Sequence, residues 1–284
     1  NRIDFYGVMN MNQLSVLPVS FFPELMSGGM TLEQWAAIGK KYGLKWIDIP
    51  NWALRSHMPV YLLEQKAVLN AMGVGIGAVG THSDLTHPDG VQRRRELDYL
   101  RADIALASQL GARYVRVTDG QAHPGVSVEQ GLDWATEGLT EASRVAAAYG
   151  VQLAVENHGF PSAWVYDDFS HDIDVCLALA RRLHGSGVGL NFDNANATGC
   201  GVDAVALLET LYEDVVSVHL TDTASDKTTL HTALGAGISP VREVLSVLKR
   251  RGFSGLITIE EDSHRGELGV FQAIAHVRGI WNSL

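Results

Sequence analysis

Four short apolar runs in the second half of the chain end in residues that can bind a metal ion or transfer a proton. Glu156 ends QLAVE, Asp193 ends GLNFD, His219 lies near the end of VVSVHL, and Glu260 ends LITIE. Carboxylates and imidazoles bind divalent cations and also act as general acids and bases. These residues therefore raise the question of whether the fold brings them together.

The alternation of side chains along each run predicts which residues face inward. Residues of one parity share one face of a strand. The apolar parity is predicted to face surrounding helices and contains Leu153, Val155, Leu190, Phe192, Val216, Val218, Ile257 and Ile259. The other parity is small or polar, and its last inward residues are Glu156, Asp193, His219 and Glu260. All four runs therefore share one phase.

A repeated junction indicates the elements that would hold these residues. A helical stretch, a glycine and a short apolar run follow one another six times, with the glycine at positions 43, 73, 111, 150, 187 and 252. Glycine is favoured directly after a helix because that position usually needs a positive φ. A seventh run, VVSVHL, follows Glu213 and Asp214 instead of a glycine. Residues 13–20 supply an eighth strand candidate.

Amphipathic helices are predicted between these strands. Thr31 with Gln34, and Ser127 with Gln130, have the spacing of a capping box before an apolar stripe. Eight strand–helix units over 284 residues give about 35 residues per unit, the size of a βα repeat. The sequence thus predicts an α/β protein with one (β/α)8 TIM-barrel domain, residues 1–284. A doubly wound sheet is the rival, but the chain has no glycine-rich nucleotide loop.

In such a barrel all strands open on one face, so the four residues are expected to converge there. Three carboxylates in one pocket raise each other's pKa, and a divalent cation removes that conflict. Glu156, Asp193, His219 and Glu260 are therefore the predicted ligands. The simpler alternative is that each acid sits at a solvated strand end or caps the next helix. Four residues in one phase favour the metal site.

Several motifs together resemble a known family. VENHG at 155–159, FDNAN at 192–196, VHLTD at 218–222, LGAG at 234–237 and ITIEED at 257–262 resemble the xylose-isomerase-like TIM barrels, in particular the sugar phosphate isomerase/epimerase branch. The resemblance implies one divalent ion, commonly manganese, magnesium, cobalt or zinc. It also implies that the two glutamates double as proton-transfer groups. Relatives in this family are often dimers or tetramers.

The chain departs from the family pattern at several positions. Asn196 stands where tagatose- and psicose-type epimerases have a substrate-binding histidine, Ser225 where an arginine is expected, and Ala236 where LGxG motifs carry an acid. Endonuclease IV needs further zinc ligands at positions that hold Asn196 and Thr229 here. The first three departures argue against carrying over the chemistry of those epimerases, and the missing zinc ligands argue against a DNA-repair nuclease.

The expected activity is isomerisation or epimerisation of a small sugar or keto-sugar. The ion would stabilise an enediolate, with Glu156 as first choice of base and Glu260 as its partner on the opposite face. If a group β to the carbanion leaves, the same site becomes a lyase, such as a dehydratase or an enzyme that cleaves a 3-keto-glycoside. A metal-binding barrel without turnover is the third alternative. Manganese is the preferred ion, with magnesium, cobalt or zinc as alternatives, and no organic cofactor is expected.

Five further residues are predicted to bind substrate at the barrel mouth. They are His82, Arg116, His158, Asn196 and His231. Arg116 faces inward and needs an anionic partner, either a substrate group or Asp48. Trp52 and Trp164 lie in strand-end loops, where an aromatic ring either stacks on a sugar or, more commonly, covers core.

Composition narrows the classes of partner and the location. The chain is 46% apolar and carries a net charge of −10, so a nucleic-acid backbone would be repelled. No apolar run approaches the roughly 20 residues of a membrane span, and the N-terminal segment lacks a signal pattern. Cys176 and Cys200 have no disulfide-framework spacing. We expect a cytoplasmic protein with a small-molecule sugar substrate and a possible homo-oligomer.

Overall fold

Eight parallel β-strands form a ring at the centre of the protein, as the strand count predicts. The computed structural model describes residues 12–159, 164–226 and 230–284. The barrel strands are β1 Leu14–Leu17, β2 Trp46–Pro50, β3 Gly75–Gly80, β4 Tyr114–Val117, β5 Gln152–Glu156, β6 Gly189–Asp193, β7 Val215–Leu220 and β10 Leu256–Glu260. Consecutive barrel strands pair in parallel from β2 to β7, followed by β10 and β1. Because β1 also contacts β2, the ring is nearly closed.

Helices connect the strands and surround the barrel. They are α1 Phe22–Ser27, α2 Leu32–Lys41, α3 Pro59–Met72, α4 Gly90–Leu110, α5 Val128–Ala148, α6 Ile173–Leu183, α7 Asn194–Gly199, α8 Ala204–Leu211, α9 Val241–Arg250 and α10 Glu267–Ser283. Thr31 and Gln34 form the predicted capping box at the start of α2. Two short strands, β8 Asp222–Thr223 and β9 His231–Thr232, pair antiparallel after β7.

The predicted helix-to-strand junctions are present. All six junction glycines have positive φ. Gly111 ends α4 at φ 78°, and its N–H bonds to the carbonyls of Ala107 and Ser108. A residue with a Cβ atom would be strained in this conformation, which explains why glycine recurs there.

The predicted strand phases are confirmed with one correction. Leu153, Phe192 and Ile259 are buried in the core between barrel and helices. Val216 was expected on that face but packs with Tyr114 and Leu256 in a separate cluster. The pairing of β6 with β7 shifts register between the first two residue pairs, so one residue is extra there. The bulge changes the direction of Val216 and leaves the rest of β7 in phase.

The strand register sets the level of the barrel mouth. Leu17 pairs with Glu260, and Asp193 pairs with His219. Gly80 links the strand ends on the other side, since it pairs with both Pro50 and Arg116. The strand-end residues therefore border one opening although their chemistry differs. Within the described residues, no helix combines the length and hydropathy needed to cross a membrane.

Candidate metal and substrate site

Glu156, Asp193 and His219 lie together at the ends of β5, β6 and β7. Each offers one donor atom, and the three donor atoms lie within 4.8 Å of one another. All three side chains are buried. The structure thus brings together three of the four ligands that the sequence predicts.

Glu260 approaches the same group from β10. The Thr221 hydroxyl lies 3.1 Å from Glu260 Oε2 and 3.2 Å from Asp193 Oδ2. Glu260 is half-buried and lines the adjoining cavity. It is not one of the three residues whose donor atoms lie within 4.8 Å of each other. Its role as a ligand therefore stays a prediction.

Asp193 uses its two carboxylate oxygens differently. Oδ1 accepts the Asn196 N–H at 2.7 Å and caps α7, while Oδ2 lies near Thr221. Asn194 fixes this junction, because its side chain exchanges two hydrogen bonds with the backbone of Thr221. The capping and metal-binding interpretations of Asp193 are thus compatible. The backbone N–H of Asn196 thus holds the carboxylate directly, and the Asn194 side chain holds the strand end that carries it.

Glu156 is held by two neighbouring side chains. Arg116 Nε donates to its Oε2, and Asn196 Nδ2 donates to its Oε1 at 3.2 Å. Burial alone would raise the pKa of Glu156, but Arg116, and then His219, outweigh burial and hold that pKa well below its usual range. Of the two partners that the sequence suggests for Arg116, Asp48 is wrong, and a substrate group stays a prediction. Asp48 instead accepts hydrogen bonds from other neighbours of the barrel interior, Ser15, Thr258 and the Ala78 N–H.

The donor set fits a divalent cation. Burial, together with the carboxylates of Glu156 and Glu260, raises the pKa of Asp193 to about 6. His219 Nδ1 is buried, lies 3.7 Å from Glu156 Oε1 and has no hydrogen-bond partner among the described residues. A buried imidazole nitrogen without a partner is costly. A cation bound here would satisfy that nitrogen and neutralise the repelling carboxylates.

A cavity of about 390 Å³ opens beside this group. It lies within the size range of small-molecule sites. Its lining includes all five residues predicted to bind substrate: His82, Arg116, His158, Asn196 and His231. The other polar residues of the lining are Asp48, His219, Glu260 and Asp262. Direct contact of these residues with a substrate stays a prediction.

Three histidines of this lining differ in their electrostatic surroundings. Burial and the neighbouring Arg116 hold the pKa of His82 well below its usual value. Burial would also lower the pKa of His158, but its contact with Asp168 raises that pKa. For His231, burial is likewise outweighed, chiefly by Asp262, and its pKa rises to about 9. The cavity therefore combines a neutral imidazole with imidazoles that favour the charged form.

Asp168 lies near the site, although no pattern in the sequence indicates a role for it. Its Oδ2 lies 2.5 Å from His158 Nδ1, and its Oδ1 accepts the Trp164 indole N–H at 2.9 Å. Asp168 is fully buried. It lies in a loop beyond β5, where no periodic pattern predicts its direction. Because it fixes the His158 ring, we assign it a positioning role.

A second group of possible metal ligands, Asp84, His87 and His123, lies in the loops after β3 and β4. Asp84 accepts hydrogen bonds from the backbone and side chain of Gln121 and lies 2.7 Å from His123 Nε2. His87 Nδ1 accepts the Asp89 N–H at 3.1 Å. These side chains are thus already hydrogen-bonded to one another or to neighbouring residues, and we assign them the role of joining the two loops.

Residues 36–280 match the family described as Xylose isomerase-like TIM barrel. The chain therefore belongs to this family, in agreement with the resemblance of its sequence motifs. The match covers seven of the eight barrel strands, the four predicted metal ligands and the five residues predicted to bind substrate.

Two curated relatives have different names. The probable endonuclease 4 of Acholeplasma laidlawii is 22% identical over 217 residues, which cover 70% of this chain and 71% of the relative. The inosose isomerase of Bacillus licheniformis is 26% identical over 174 residues, which cover 59% of this chain and 60% of the relative. The match thus spans only about three-fifths of that isomerase.

Solved structures show the same fold. A D-tagatose 3-epimerase-like protein superposes with a TM-score of 0.78 at 18% identity, over 95% of this chain and 98% of that protein. The IOLI protein, whose crystal structure contains a zinc atom, superposes with a TM-score of 0.74 at 18% identity, over 94% and 96% of the two chains. At these identities the similarity concerns the fold.

Proposed function

We propose that this protein is a divalent-metal-dependent isomerase or epimerase of a small sugar or keto-sugar. The observation that carries the proposal is the convergence of buried Glu156, Asp193 and His219 beside a cavity of about 390 Å³. The names of the inosose isomerase and of the epimerase-like neighbour agree with this activity.

Glu156, Asp193 and His219 would hold the ion, with Glu260 as the fourth ligand. When bound, the ion supplies Lewis-acid stabilisation of negative charge on the sugar's carbonyl oxygen. Manganese is the preferred choice, with magnesium, cobalt and zinc as alternatives. The zinc in the IOLI neighbour supports a divalent ion but does not select the metal.

The two glutamates are proposed to transfer protons. Glu260 is the better-placed acceptor, because it lines the cavity and its described hydrogen bond comes from the neutral Thr221 hydroxyl. Glu156 is restrained by Arg116, which stabilises its ionised form. We therefore assign proton abstraction to Glu260, the reverse of the order expected from the sequence. Epimerisation then needs a second proton, which Glu156 would take up from solvent and deliver to the opposite face.

A lyase is the second candidate, because it begins with the same proton abstraction. The apolar part of the cavity lining, formed by Leu17, Val19, Phe22, Pro50 and Trp52, offers space for a leaving group. A nuclease is disfavoured by the net charge of −10 and by Asn196, which stands where that enzyme needs a histidine. The second nuclease-specific position, Thr229, lies outside the described residues.

The test begins with metal-stripped protein reloaded separately with manganese, magnesium, cobalt or zinc. Each form is incubated in D2O with ketohexoses, inososes and 3-keto-glucosides, and with a duplex containing an abasic site. An isomerase or epimerase incorporates deuterium and leaves the recovered sugar otherwise unchanged in mass. A lyase gives a product that is lighter by the mass of the leaving group. Full activity of the stripped protein, or cleavage of the duplex alone, would overturn the proposal.

A further inference from the structure

We propose that the substrate is an uncharged keto-glycoside that carries an apolar, ring-sized aglycone and no phosphate. This inference rests on the proposed function and specifies its substrate class. It follows from an unequal distribution of side chains around the cavity. The apolar half of the mouth, defined as Leu17, Val19, Phe22, Pro50, Trp52, Ala78 and Gly80, comes from β1, β2, β3 and their loops.

Two aromatic rings dominate the apolar half of the mouth. Phe22 and Trp52 pack edge to face, with ring centroids 4.9 Å apart and an interplanar angle of 83°. Trp52 remains 40% exposed although it lines the cavity. A pair of rings at a cavity wall gains free energy when an apolar group covers it. The pair is therefore suited to stack against a ring of the ligand.

The apolar half of the mouth is larger than a sugar ring needs. One face of a sugar ring presents C–H groups, and a single aromatic side chain covers it. Here Leu17, Val19 and Pro50 add further apolar side chains to the same lining as the Phe22–Trp52 pair. Sugar hydroxyls placed along this wall would lose hydrogen bonds to water without replacement. A ligand whose sugar ring lies against the polar half and whose aglycone covers the apolar half avoids this loss. Its hydroxyls keep hydrogen-bond partners, and the apolar wall is covered by an apolar group.

The charges that line the cavity argue against a phosphate group. Among the described lining residues, Arg116 is the only lysine or arginine, and it donates to Glu156 and contacts His82 at 3.3 Å. The two lining histidines that favour the charged form are each paired with a carboxylate, His158 with Asp168 and His231 with Asp262. Asp48 and Glu260 also line the cavity. Phosphate sites in proteins use arginine forks or several backbone N–H groups. An uncharged substrate is compatible with this lining.

The experiment compares three ligands on metal-loaded protein. They are an aryl 3-keto-glucoside, the same keto-sugar with a methyl aglycone, and a ketohexose phosphate. We expect kcat/KM for the aryl compound to exceed that for the methyl compound by about tenfold, with the phosphate the poorest substrate. In Trp52→Ala the aryl-to-methyl ratio should fall to about 2, and Trp52→Leu should give an intermediate ratio.

Phe271→Ala is the matched control. Phe271 is also 40% exposed and packs on another aromatic ring, Tyr42, at a centroid distance of 5.5 Å, but it lies on α10 and does not line the cavity. This control should keep the wild-type ratio. Equal rates for the aryl and methyl compounds, a preference for the phosphate, or an unchanged ratio in Trp52→Ala would overturn the inference.

A binding measurement separates this inference from the proposed function. A non-reactive aryl glucoside is titrated against the protein, and its dissociation constant is compared with that of methyl glucoside by calorimetry. If no keto-sugar is turned over, the proposed function fails, and binding alone decides the inference. At least tenfold tighter binding of the aryl glucoside, lost in Trp52→Ala, supports the apolar subsite. Equal binding overturns it.

Discussion

The two halves of the barrel mouth differ in chemistry although their strands end at one level. β5, β6, β7 and β10 end in or next to Glu156, Asp193, His219 and Glu260, whereas β1, β2 and β3 end in Leu17, Pro50 and Gly80. The register pairs Leu17 directly with Glu260, so the boundary between the halves lies between neighbouring strands. The strands β1 to β3 thus end in apolar residues or glycine, whereas the four predicted metal ligands all come from β5, β6, β7 and β10.

The largest effect is expected from a change in the polar half. Asp193→Asn keeps the oxygen that caps α7 but removes the charge, so metal binding should be lost and kcat should fall by at least ~10³-fold. Asp203→Asn is the matched control, because Asp203 caps α8 with the same type of bonds to backbone N–H groups. Metal content and turnover are measured together. Wild-type metal content in Asp193→Asn would exclude Asp193 as a ligand.

Glu260→Gln should lower kcat by about 10²- to 10⁴-fold, the usual contribution of a positioned acid or base. Its cavity-facing position predicts that KM changes less than kcat. The measurement is steady-state kinetics together with deuterium exchange into the substrate. Exchange at the wild-type rate would show that Glu260 does not take the proton. Glu156→Gln, measured in parallel, should also lose most of the turnover.

A smaller effect on turnover is expected from a change at Asp168, which contacts His158 of the polar half. Asp168→Asn keeps an acceptor for the Trp164 indole but removes the charge next to His158. The pKa of His158 should fall, because Asp168 is the partner that raises it. NMR titration of the imidazole in metal-free protein measures this change, and turnover should fall by about tenfold. An unchanged His158 titration would contradict the positioning role.

The smallest effect, a change in folding stability, is expected at Asp48, which lies beneath the apolar half. Burial raises the pKa of Asp48 in the folded protein, so the wild type loses stability as pH rises from about 4, the unfolded value, through the folded pKa. Asp48→Asn has no titrating carboxyl at this position, so it does not lose this stability as pH rises. Its unfolding free energy relative to wild type should therefore increase over that range. Urea unfolding at several pH values measures it.

Asp89→Asn is the control of opposite sign for this series. Hydrogen bonds from the Val91 and Gln92 N–H groups lower the pKa of Asp89. The wild type therefore gains stability from Asp89 above the unfolded pKa and loses it as pH falls through the folded pKa. The asparagine variant should lose relative stability as pH rises. If both curves rise, the Asp89 assignment is wrong, and if both fall, the Asp48 assignment is wrong.

The sequence predicts the polar half well and the apolar half poorly, for a physical reason. Period-two alternation identifies an inward Glu156 or Asp193 because a charged residue in an apolar strand is conspicuous. Leu17 and Pro50 have no such contrast, since apolar strand ends are common in any barrel. The direction of Val216 was mispredicted because a bulge depends on pairing with β6. The partner of Arg116 and the contact of Asp168 with His158 depend on tertiary geometry that no local pattern encodes.

The helix α7 has only six residues, and its first turn is capped by Asp193 Oδ1. A cation drawn to the other oxygen would immobilise this carboxylate and, through it, the start of the helix. Amide hydrogen exchange at Asn196 should therefore slow when the ion binds. That single amide would report occupancy of the centre directly, without any sugar present.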